Sequence, residues 1–281
     1  MSSPYRGRIA PSPTGYLHLG HARTFLIARD RAEQADGNLI FRNEDLDPDR
    51  CRPEFVSAMH EDLRWLGLGW SEGPDCGGRY GPYSQSERRD LYLRTWRKLR
   101  DNGFLYPCTC SRRELALSVI APNENDDEPV YPGKCRSRND ASNYAVPRGV
   151  NWRFRVPYAE AITFRDLHLG PQTYHAGTDF GDFVVWRRDD VPAYQLACIT
   201  DDHAMRITEV VRGADLLKST ARQLLLYRAL DWEAPRFYHC DLVRDDAGVR
   251  LAKRHDGLSI RGLRHCGLSP EQVRTRALAG A

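Results

Sequence analysis

Residues 5–41 read YRGRIAPSPTGYLHLGHARTFLIARDRAEQADGNLIF, and this stretch predicts the order strand, loop, helix, strand. Residues 5–10 are typical of a short strand, residues 22–35 place apolar side chains near one face of a helix, and residues 39–41 form a second apolar run. Gly37 stands where such a helix would end. Because a strand, a crossover helix and a second strand form a βαβ unit, we expect the start of a parallel α/β sheet.

The composition is that of a globular protein. With 281 residues, of which 41% are hydrophobic and 28% charged, the chain is long enough for one large or two smaller domains. The start MSSPYRGRIA lacks the apolar segment of a secretory signal, and no run of about 18 apolar residues follows. We therefore expect a cytoplasmic protein that does not enter a membrane. The formal net charge of +3 permits an anionic partner without indicating one.

The rest of the chain alternates further helices with short strands. Two helices are predicted at 53–66 and 87–102, the second ended by Gly103. The polar stretch NENDDEP (123–129) has cysteines on both sides and favours a loop within an insertion. After it, the predicted segments are strands at WRFRV (152–156), ITFRD (162–166), FVVWRR (183–188) and MRITEVV (205–211), and a helix at 215–230.

The stretch SPTGYLHLGH (12–21) is the first turn from strand to helix in this arrangement. Such a turn lies at the carboxyl edge of the sheet, where the N–H groups of the helix start favour phosphate. Gly15 and Gly20 let a ligand approach the backbone closely, and His18 and His21 offer N–H donors without a permanent charge. A bare H-x-x-H pair is also compatible with a metal site or with two incidental surface histidines. The S-P-T-G prefix, Gly20 and the strand-turn-helix context favour nucleotidyl transfer.

The stretch RIAPSPTGYLHLGH (8–21) resembles the signature of the class I aminoacyl-tRNA synthetases, in the form carried by the glutamyl branch. Four further blocks continue the resemblance in the family's order and, with the first, cover most of the chain. They are FRNEDLDPDR (41–50), YSQSERRDLY (83–92), VPAYQLACITDDHAMRITEVVRGADLLKSTARQLLLYRAL (191–230) and RLAKRHD (250–256).

The substrate of that branch agrees with an argument from charge. Glutamate brings two carboxylates and one ammonium group, so its site needs about two cationic side chains and one anion. The resemblance implies that Arg8 and Arg212 take the cationic roles, and the sequence leaves open which arginine binds which carboxylate. It also implies that Glu44 binds the ammonium group and that Tyr194 lines the amino-acid pocket. Ser12 falls in the segment that holds the substrate.

The stretch RLAKR (250–254) resembles the second signature of the family, a loop usually written K-M-S-K-S. Leu251, Ala252 and Arg254 depart from that pattern, while Lys253 keeps its lysine and Arg250 preserves a charge. The resemblance implies that Lys253 stabilises the pyrophosphate leaving group, and a basic surface turn is the alternative. It also implies ATP with a magnesium ion on the phosphates, with His18, His21, Gly15 and Gly20 on the ATP side.

Three cysteines flank the polar loop and have the spacing of metal ligands. Cys108 and Cys110 precede it and Cys135 follows it, and a closed structural zinc site would need a fourth ligand. Short relatives in the glutamyl branch carry a tyrosine at that place, which implies Tyr131 here. The alternative is an ordinary loop with free thiols. We expect one structural zinc ion and no structural disulfides.

The resemblance implies a Rossmann-like doubly wound parallel sheet, the α/β catalytic core of class I synthetases, with a zinc-bearing insertion and a short helical C-terminal part. The first half of the catalytic domain is expected at 1–106 and the second at 191–245. The segment 107–190 is the expected insertion, with the zinc site and a region that contacts the acceptor. The segment 246–281 holds the second signature loop and a short C-terminal part, without an anticodon-binding domain.

The stretch after RLAKR bears on the acceptor of the glutamyl group. Few residues follow RLAKR, and the chain thus resembles truncated members of the branch, which esterify glutamate to queuosine at the wobble position of tRNA(Asp). The expected partners are ATP, L-glutamate and tRNA(Asp) carrying queuosine, and we expect a monomer. Three alternatives remain: a minimal synthetase that charges a tRNA 3′ end, a non-catalytic paralogue that binds glutamate or a nucleotide, and a cytidylyltransferase-like enzyme.

Overall fold

The computed structural model describes residues 4–111, 130–138, 140–243 and 259–279. Lys253 and the whole RLAKR stretch lie outside the described residues, so their predicted role stays a prediction. The described helices are α1 (Leu19–Gln34), α2 (Pro53–Trp65), α3 (Arg89–Asp101), α4 (Tyr194–Ala204), α5 (Leu217–Leu230), α6 (Ile260–His265) and α7 (Pro270–Ala279). The described strands are β1 (Arg6–Ile9), β2 (Asn38–Phe41), β3 (Leu105–Cys108), β4 (Asn151–Phe154), β5 (Ala161–Asp166), β6 (Gly170–His175), β7 (Val184–Trp186), β8 (Glu209–Gly213) and β9 (Arg236–Cys240).

The parallel pairings confirm the α/β class. Strands β1 and β2 pair in parallel, from Arg6 opposite Asn38 onward, with α1 as the crossover, so the predicted βαβ unit is present. Strand β1 lies beside β8, because the Thr208 N–H donates to the Arg6 carbonyl at 2.9 Å just before β8 begins. Strands β8 and β9 are parallel, and β5 joins β9 in parallel opposite Phe237.

Antiparallel strands extend this arrangement. Strand β6 pairs with β5 in an antiparallel hairpin at the edge of the parallel strands. A separate antiparallel sheet has the order β3, β4, β7. The segment expected as an insertion therefore contributes β5 to the same sheet as β8 and β9.

Helix boundaries follow local chemistry. Helix α1 begins at Leu19, three residues before the predicted start, because the side chain of His18 caps its first turn. Gly103 has a φ of 77° just after α3, as expected of the residue that ends a helix. The strand predicted at 205–211 was placed too early, since β8 begins at Glu209. Arg206 has a φ of 55°, a left-handed conformation that closes α4 and does not fit a strand.

Two apolar cores support the cavity described below. In one, α1 packs against β1 and β8 and also against α7, and Ile9, Leu26 and Val273 are fully buried. The other packs α3 and α4 against the antiparallel sheet and α5 against β5, and in it Trp96 meets Trp152 edge to face at a centroid distance of 4.8 Å. Among the described helices, none has the length and apolar character needed to cross a membrane.

Candidate active site

A cavity of about 590 Å³ opens at the carboxyl ends of β1 and β8, beside the N-terminus of α1. The structure brings eight of the predicted site residues together around it. These are Arg8, Ser12, His18, Gly20, His21, Glu44, Tyr194 and Arg212. Gly15 is not among the lining residues, and a Cβ atom built on it meets nothing within 4 Å.

The two histidines of the opening motif cap the helix on which they stand. His18 Nδ1 accepts a hydrogen bond from the Gly20 N–H at 3.1 Å, and His21 Nδ1 accepts one from the His18 N–H at 3.2 Å. Their ring centroids are 3.9 Å apart. Because both Nδ1 atoms accept backbone hydrogen bonds, the neutral imidazoles carry their proton on Nε2. Two N–H donors thus stand at the end of a helix that already favours anions.

Arg8 occupies one wall of the cavity and is almost fully buried. Its Nη1 donates to the Val211 carbonyl at 2.9 Å, and its Nε lies 3.6 Å from Oδ1 of Asp202. Burial opposes the charge, but the Asp202 carboxylate, together with Cys198 and Tyr194, outweighs it and raises the pKa of Arg8 above its usual value. The guanidinium group therefore stays charged at the carboxyl end of β1.

Glu44 faces the same cavity and is held from behind by a buried arginine. Arg42, which is fully buried, donates to Glu44 Oε1 at 3.0 Å and to Asp202 Oδ1 at 2.6 Å. Burial raises the pKa of the Glu44 carboxyl above its ordinary value, although Arg42 and Arg8 act in the opposite direction. Only 9% of the side chain is exposed. A cationic ligand in the cavity would thus meet a carboxylate with little competition from water.

Arg212 lies at the end of β8 and makes three hydrogen bonds to uncharged side chains. Its Nη2 donates to Thr220 Oγ1 at 2.6 Å, its Nη1 to the Tyr194 hydroxyl at 3.3 Å, and its Nε to His239 Nε2 at 3.2 Å. Only 4% of its surface is exposed. In the described part of the chain these partners orient Arg212 without neutralising it, which leaves its charge for a ligand.

Sequence reasoning missed several residues of this site. Arg42 and Asp202, which hold Glu44 and Arg8, lie within the blocks 41–50 and 191–230, but their residue types alone do not mark them as site residues. Further residues line the cavity, and only their positions near the motifs could have indicated this from the sequence. They are Thr24, Phe25, Asp215, Leu216, Asp241, Leu242 and Val243.

The predicted cysteine cluster forms a second, separate feature. The sulfur atoms of Cys108, Cys110 and Cys135 lie within 4.8 Å of one another, and all three residues are buried. The Tyr131 hydroxyl lies 3.5 Å from Cys108 Sγ and 3.5 Å from Cys110 Sγ. All eight cysteines of the chain are free thiols.

These distances fit a tetrahedral metal ion. Bonds of about 2.3 Å to sulfur and about 2.0 Å to oxygen place two sulfur ligands ~3.8 Å apart and a sulfur and an oxygen ligand ~3.5 Å apart. The observed separation of Cys110 Sγ and Cys135 Sγ is 3.6 Å. Arg153 stacks over the Tyr131 ring at 3.9 Å and directs its Nε to Cys108 Sγ at 3.4 Å. Arg153 thus places a permanent positive charge beside the cluster, while burial raises the pKa of the Cys110 thiol to about 11 and that of the Tyr131 phenol above its usual value.

Comparison with known proteins agrees with the geometry. Residues 5–277 match the family described as tRNA synthetases class I (E and Q), catalytic domain. The glutamyl-Q tRNA(Asp) synthetases of Symbiobacterium thermophilum and Nitratidesulfovibrio vulgaris are 48% and 46% identical, over 95% of this chain and 83% of each relative. A crystal structure of a glutamate tRNA ligase from Elizabethkingia meningosepticum, in complex with its amino acid, superimposes with a TM-score of 0.76 at 33% identity. That match covers 91% of this chain and 53% of the ligase. The chain belongs to the class I tRNA synthetases of the glutamyl and glutaminyl group.

Proposed function

We propose that this protein activates L-glutamate with ATP and transfers the glutamyl group to queuosine at the wobble position of tRNA(Asp). The observation that carries the proposal is the single cavity that combines Arg8, Arg212 and Glu44 with the two capping histidines. Two cations and one anion match the two carboxylates and one ammonium group of glutamate. Two N–H donors at a helix N-terminus match the phosphates of a nucleotide.

In the proposed first step the α-carboxylate of glutamate attacks the α-phosphorus of ATP in line. A bond forms between the carboxylate oxygen and phosphorus, the bond to the bridging oxygen breaks, and pyrophosphate leaves with its electron pair. His18 and His21 donate their Nε2–H groups to phosphate oxygens that gain charge. Glu44 holds the ammonium group, and Tyr194 and Ser12 line the amino-acid side. A magnesium ion bound with ATP would neutralise part of the phosphate charge, and Lys253, which lies outside the described residues, is the proposed cation for the pyrophosphate.

In the proposed second step a hydroxyl of the cyclopentene diol of queuosine attacks the activated carbonyl carbon. An ester forms, AMP leaves, and the hydroxyl proton is released. The choice of acceptor is supported by the names of the two relatives from Symbiobacterium and Nitratidesulfovibrio, which are both glutamyl-Q tRNA(Asp) synthetases.

Two assays test the steps separately. We expect glutamate-dependent exchange of pyrophosphate into ATP without any tRNA, and we expect radioactive glutamate to label tRNA(Asp) that carries queuosine. The matched control is tRNA(Asp) transcribed without the modification, which should remain unlabelled. The label should also survive enzymatic removal of the 3′-terminal adenosine, because the ester lies in the anticodon loop.

Two results would contradict the proposal in different ways. Labelling of tRNA(Glu) that is lost with its 3′-terminal adenosine would make the protein a minimal glutamate tRNA ligase. Absence of exchange with glutamate would make it a non-catalytic binding protein.

For the cysteine cluster we propose one structural zinc ion, held by Cys108, Cys110, Cys135 and Tyr131. The match of the S···S and S···O distances to tetrahedral coordination supports this choice. When bound, the ion would crosslink β3 to the loop that follows residue 130. Metal analysis of the purified protein should give about one zinc per chain, and Cys135→Ser should lose it. Tyr144→Phe, a change at a tyrosine outside the cluster, serves as the control. Zinc content near zero in a mildly prepared wild-type sample would exclude the site.

A further inference from the structure

A row of three buried side chains runs from the cavity into the parallel sheet. Arg212 stands at the cavity, His239 lies behind it on β9, and Asp166 lies behind His239 at the end of β5. Arg212 Nε is 3.2 Å from His239 Nε2, and His239 Nδ1 is 2.6 Å from Asp166 Oδ2. His239 is fully buried and Asp166 is 1% exposed. Neither His239 nor Asp166 lines the cavity.

The chemistry of the partners fixes the proton on the imidazole. An arginine Nε can only donate, so His239 Nε2 must accept, and the ring proton must be on Nδ1. Asp166 accepts that proton in a hydrogen bond. Burial, together with the charge of Arg212, lowers the pKa of His239 to about 4, although Asp166 acts in the opposite direction. The imidazole is therefore neutral at physiological pH, and its one lone pair, on Nε2, faces both Arg212 Nε at 3.2 Å and the Thr220 hydroxyl at 3.0 Å.

Asp166 is itself held rigidly by the turn between β5 and β6. Its Oδ1 accepts the N–H groups of His168 at 3.0 Å and Leu169 at 2.8 Å, and its Oδ2 accepts the His239 N–H at 3.1 Å. Burial opposes ionisation, but these hydrogen bonds outweigh it and the pKa of Asp166 lies below its usual value. A fixed carboxylate thus holds a fixed imidazole.

The consequence for Arg212 is a defined orientation. Its Nε is engaged by His239 and its Nη2 by Thr220, so rotation about the last side-chain bonds would break both hydrogen bonds. The Nη1 edge then lies next to the Tyr194 hydroxyl, on the side of the cavity. Because His239 is neutral, the guanidinium is oriented without losing its charge to a counter-ion.

We propose that His239 and Asp166 are positioning residues for substrate recognition: they fix the tautomer and the direction of the hydrogen bond that aims Arg212 at a carboxylate of the amino acid. This inference rests on the proposed activation of glutamate. It assigns a role in the site to β5, which belongs to the segment between the two predicted halves of the catalytic domain. Loss of this orientation weakens amino-acid binding while the ATP side, built on α1, stays intact.

The test compares substitutions that remove or restore the acceptor for Arg212. His239→Leu removes it, whereas His239→Gln places an amide oxygen near the position of Nε2. Asp166→Asn keeps the shape of the side chain but cannot accept all four hydrogen bonds as a carboxylate does. Tyr238→Phe is the matched control, since Tyr238 is on the same strand and its ring stacks on His168 instead. Each protein is measured by pyrophosphate exchange, with KM determined for glutamate and for ATP, and by thermal melting.

We expect His239→Leu and Asp166→Asn to raise the KM for glutamate about 10- to 100-fold, the range for losing a hydrogen bond to a charged group. The KM for ATP should stay within about twofold, and His239→Gln should recover most of the loss. Tyr238→Phe should behave as the wild type. If His239→Leu fails to fold, the other two variants still test the inference. A positioning role requires the KM for glutamate to be higher in Asp166→Asn than in His239→Gln.

Three results would overturn the inference. They are an unchanged KM for glutamate in folded Asp166→Asn, an equal rise in both KM values, and a loss in His239→Gln as large as in His239→Leu. Absence of exchange in the wild-type protein would instead reject the proposed function itself, and the inference with it.

Discussion

His18 and His21 have a structural role at the start of α1 and, in the proposed function, a chemical role as well. Each Nδ1 accepts a backbone hydrogen bond at the start of α1, which satisfies donors that a helix end leaves unpaired. The same hydrogen bonds determine that the proton is on Nε2. An ordinary capping residue would perform the first task without the second.

Replacement of His18 by asparagine separates the two tasks. Asparagine is a favoured N-cap residue, so His18→Asn should melt within a few degrees of the wild type. It lacks the Nε2–H donor, and we expect the transition state for adenylate formation to lose about 2 to 4 kcal/mol. The ratio of the steady-state pyrophosphate exchange rates of wild type and variant measures this loss. His175→Asn, on the exposed face of β6, is the control and should exchange at the wild-type rate. An unchanged exchange rate in His18→Asn would remove the histidine from the reaction.

At the scale of elements, α2 and α6 meet around a buried carboxyl group. Asp62 on α2 is fully buried, and within the described residues neither of its oxygens has a hydrogen-bond partner. Burial raises its pKa to about 6, although Arg261, Arg264 and His265 act in the opposite direction. Helix α6 is joined to the opening motif, because the Ile260 N–H donates to the Leu17 carbonyl at 2.7 Å.

The raised pKa predicts that this contact gains stability as the pH falls. The folded-state pKa of Asp62 lies above the unfolded-state value, so above pH 6 the native protein holds the carboxylate in its charged form at a cost in free energy. Protonation removes this cost as the pH falls from about 7 to about 4. We therefore expect Asp62→Asn to raise the free energy of unfolding by about 1 to 2 kcal/mol at pH 8 and by about half as much at pH 5, where the carboxyl of the unfolded state is still ionised. Urea unfolding at both pH values measures this difference.

The control for this prediction is Glu61→Gln, an exposed neighbour on the same helix, whose effect should be small at both pH values. A destabilising effect of Asp62→Asn at pH 8 would show that the carboxylate has partners that stabilise its charge.

At the scale of the whole molecule, buried charges join parts of the chain that are far apart in sequence. Arg8 on β1 and Arg42 after β2 both face Asp202 on α4, and Arg88 pairs with Asp201 at 2.6 Å. These groups are at most 5% exposed. Arg42 and Arg8 outweigh the effect of burial and lower the pKa of Asp202. The network connects the first βαβ unit to the later helices directly behind Glu44.

Removing one charge from this network should be costly. Asp202→Asn leaves two buried guanidinium groups with less compensation, and we expect a loss of about 3 to 5 kcal/mol in the free energy of unfolding at pH 7. Because the pKa of Asp202 is lowered in the folded state, its contribution is present above the unfolded-state value and fades as the pH falls through the folded-state pKa. Denaturant unfolding from pH 7 downward follows both effects.

Asp101→Asn is the matched control, because it removes the exposed Arg100–Asp101 pair and should cost less than about 1 kcal/mol. If the free energy of unfolding of Asp202→Asn were within about 1 kcal/mol of the wild-type value, the network would not be a source of stability.

Local features of the structure were largely predictable from the sequence. The strand, turn, helix and strand of residues 5–41, the end of α3 at Gly103 and the α/β class follow from periodicity and from glycine conformation. Helix α4 was not predicted, because residues such as Leu196, Cys198 and Thr200 are buried around its circumference. A helix buried on all sides has no amphipathic pattern for a sequence to display.

The sequence by itself determined the opening unit, the order of the family's blocks and the residue types able to bind phosphate, carboxylate or a metal. These depend on backbone preferences and on spacing along the chain. Only the tertiary structure decided that Arg42 holds Glu44 and that His239 and Asp166 stand behind Arg212. These contacts depend on which strands pair and in what register, and β5 meets β9 across 71 positions of sequence, from Asp166 to Phe237. No local pattern encodes such a pairing, because its free energy comes from burying both partners at once.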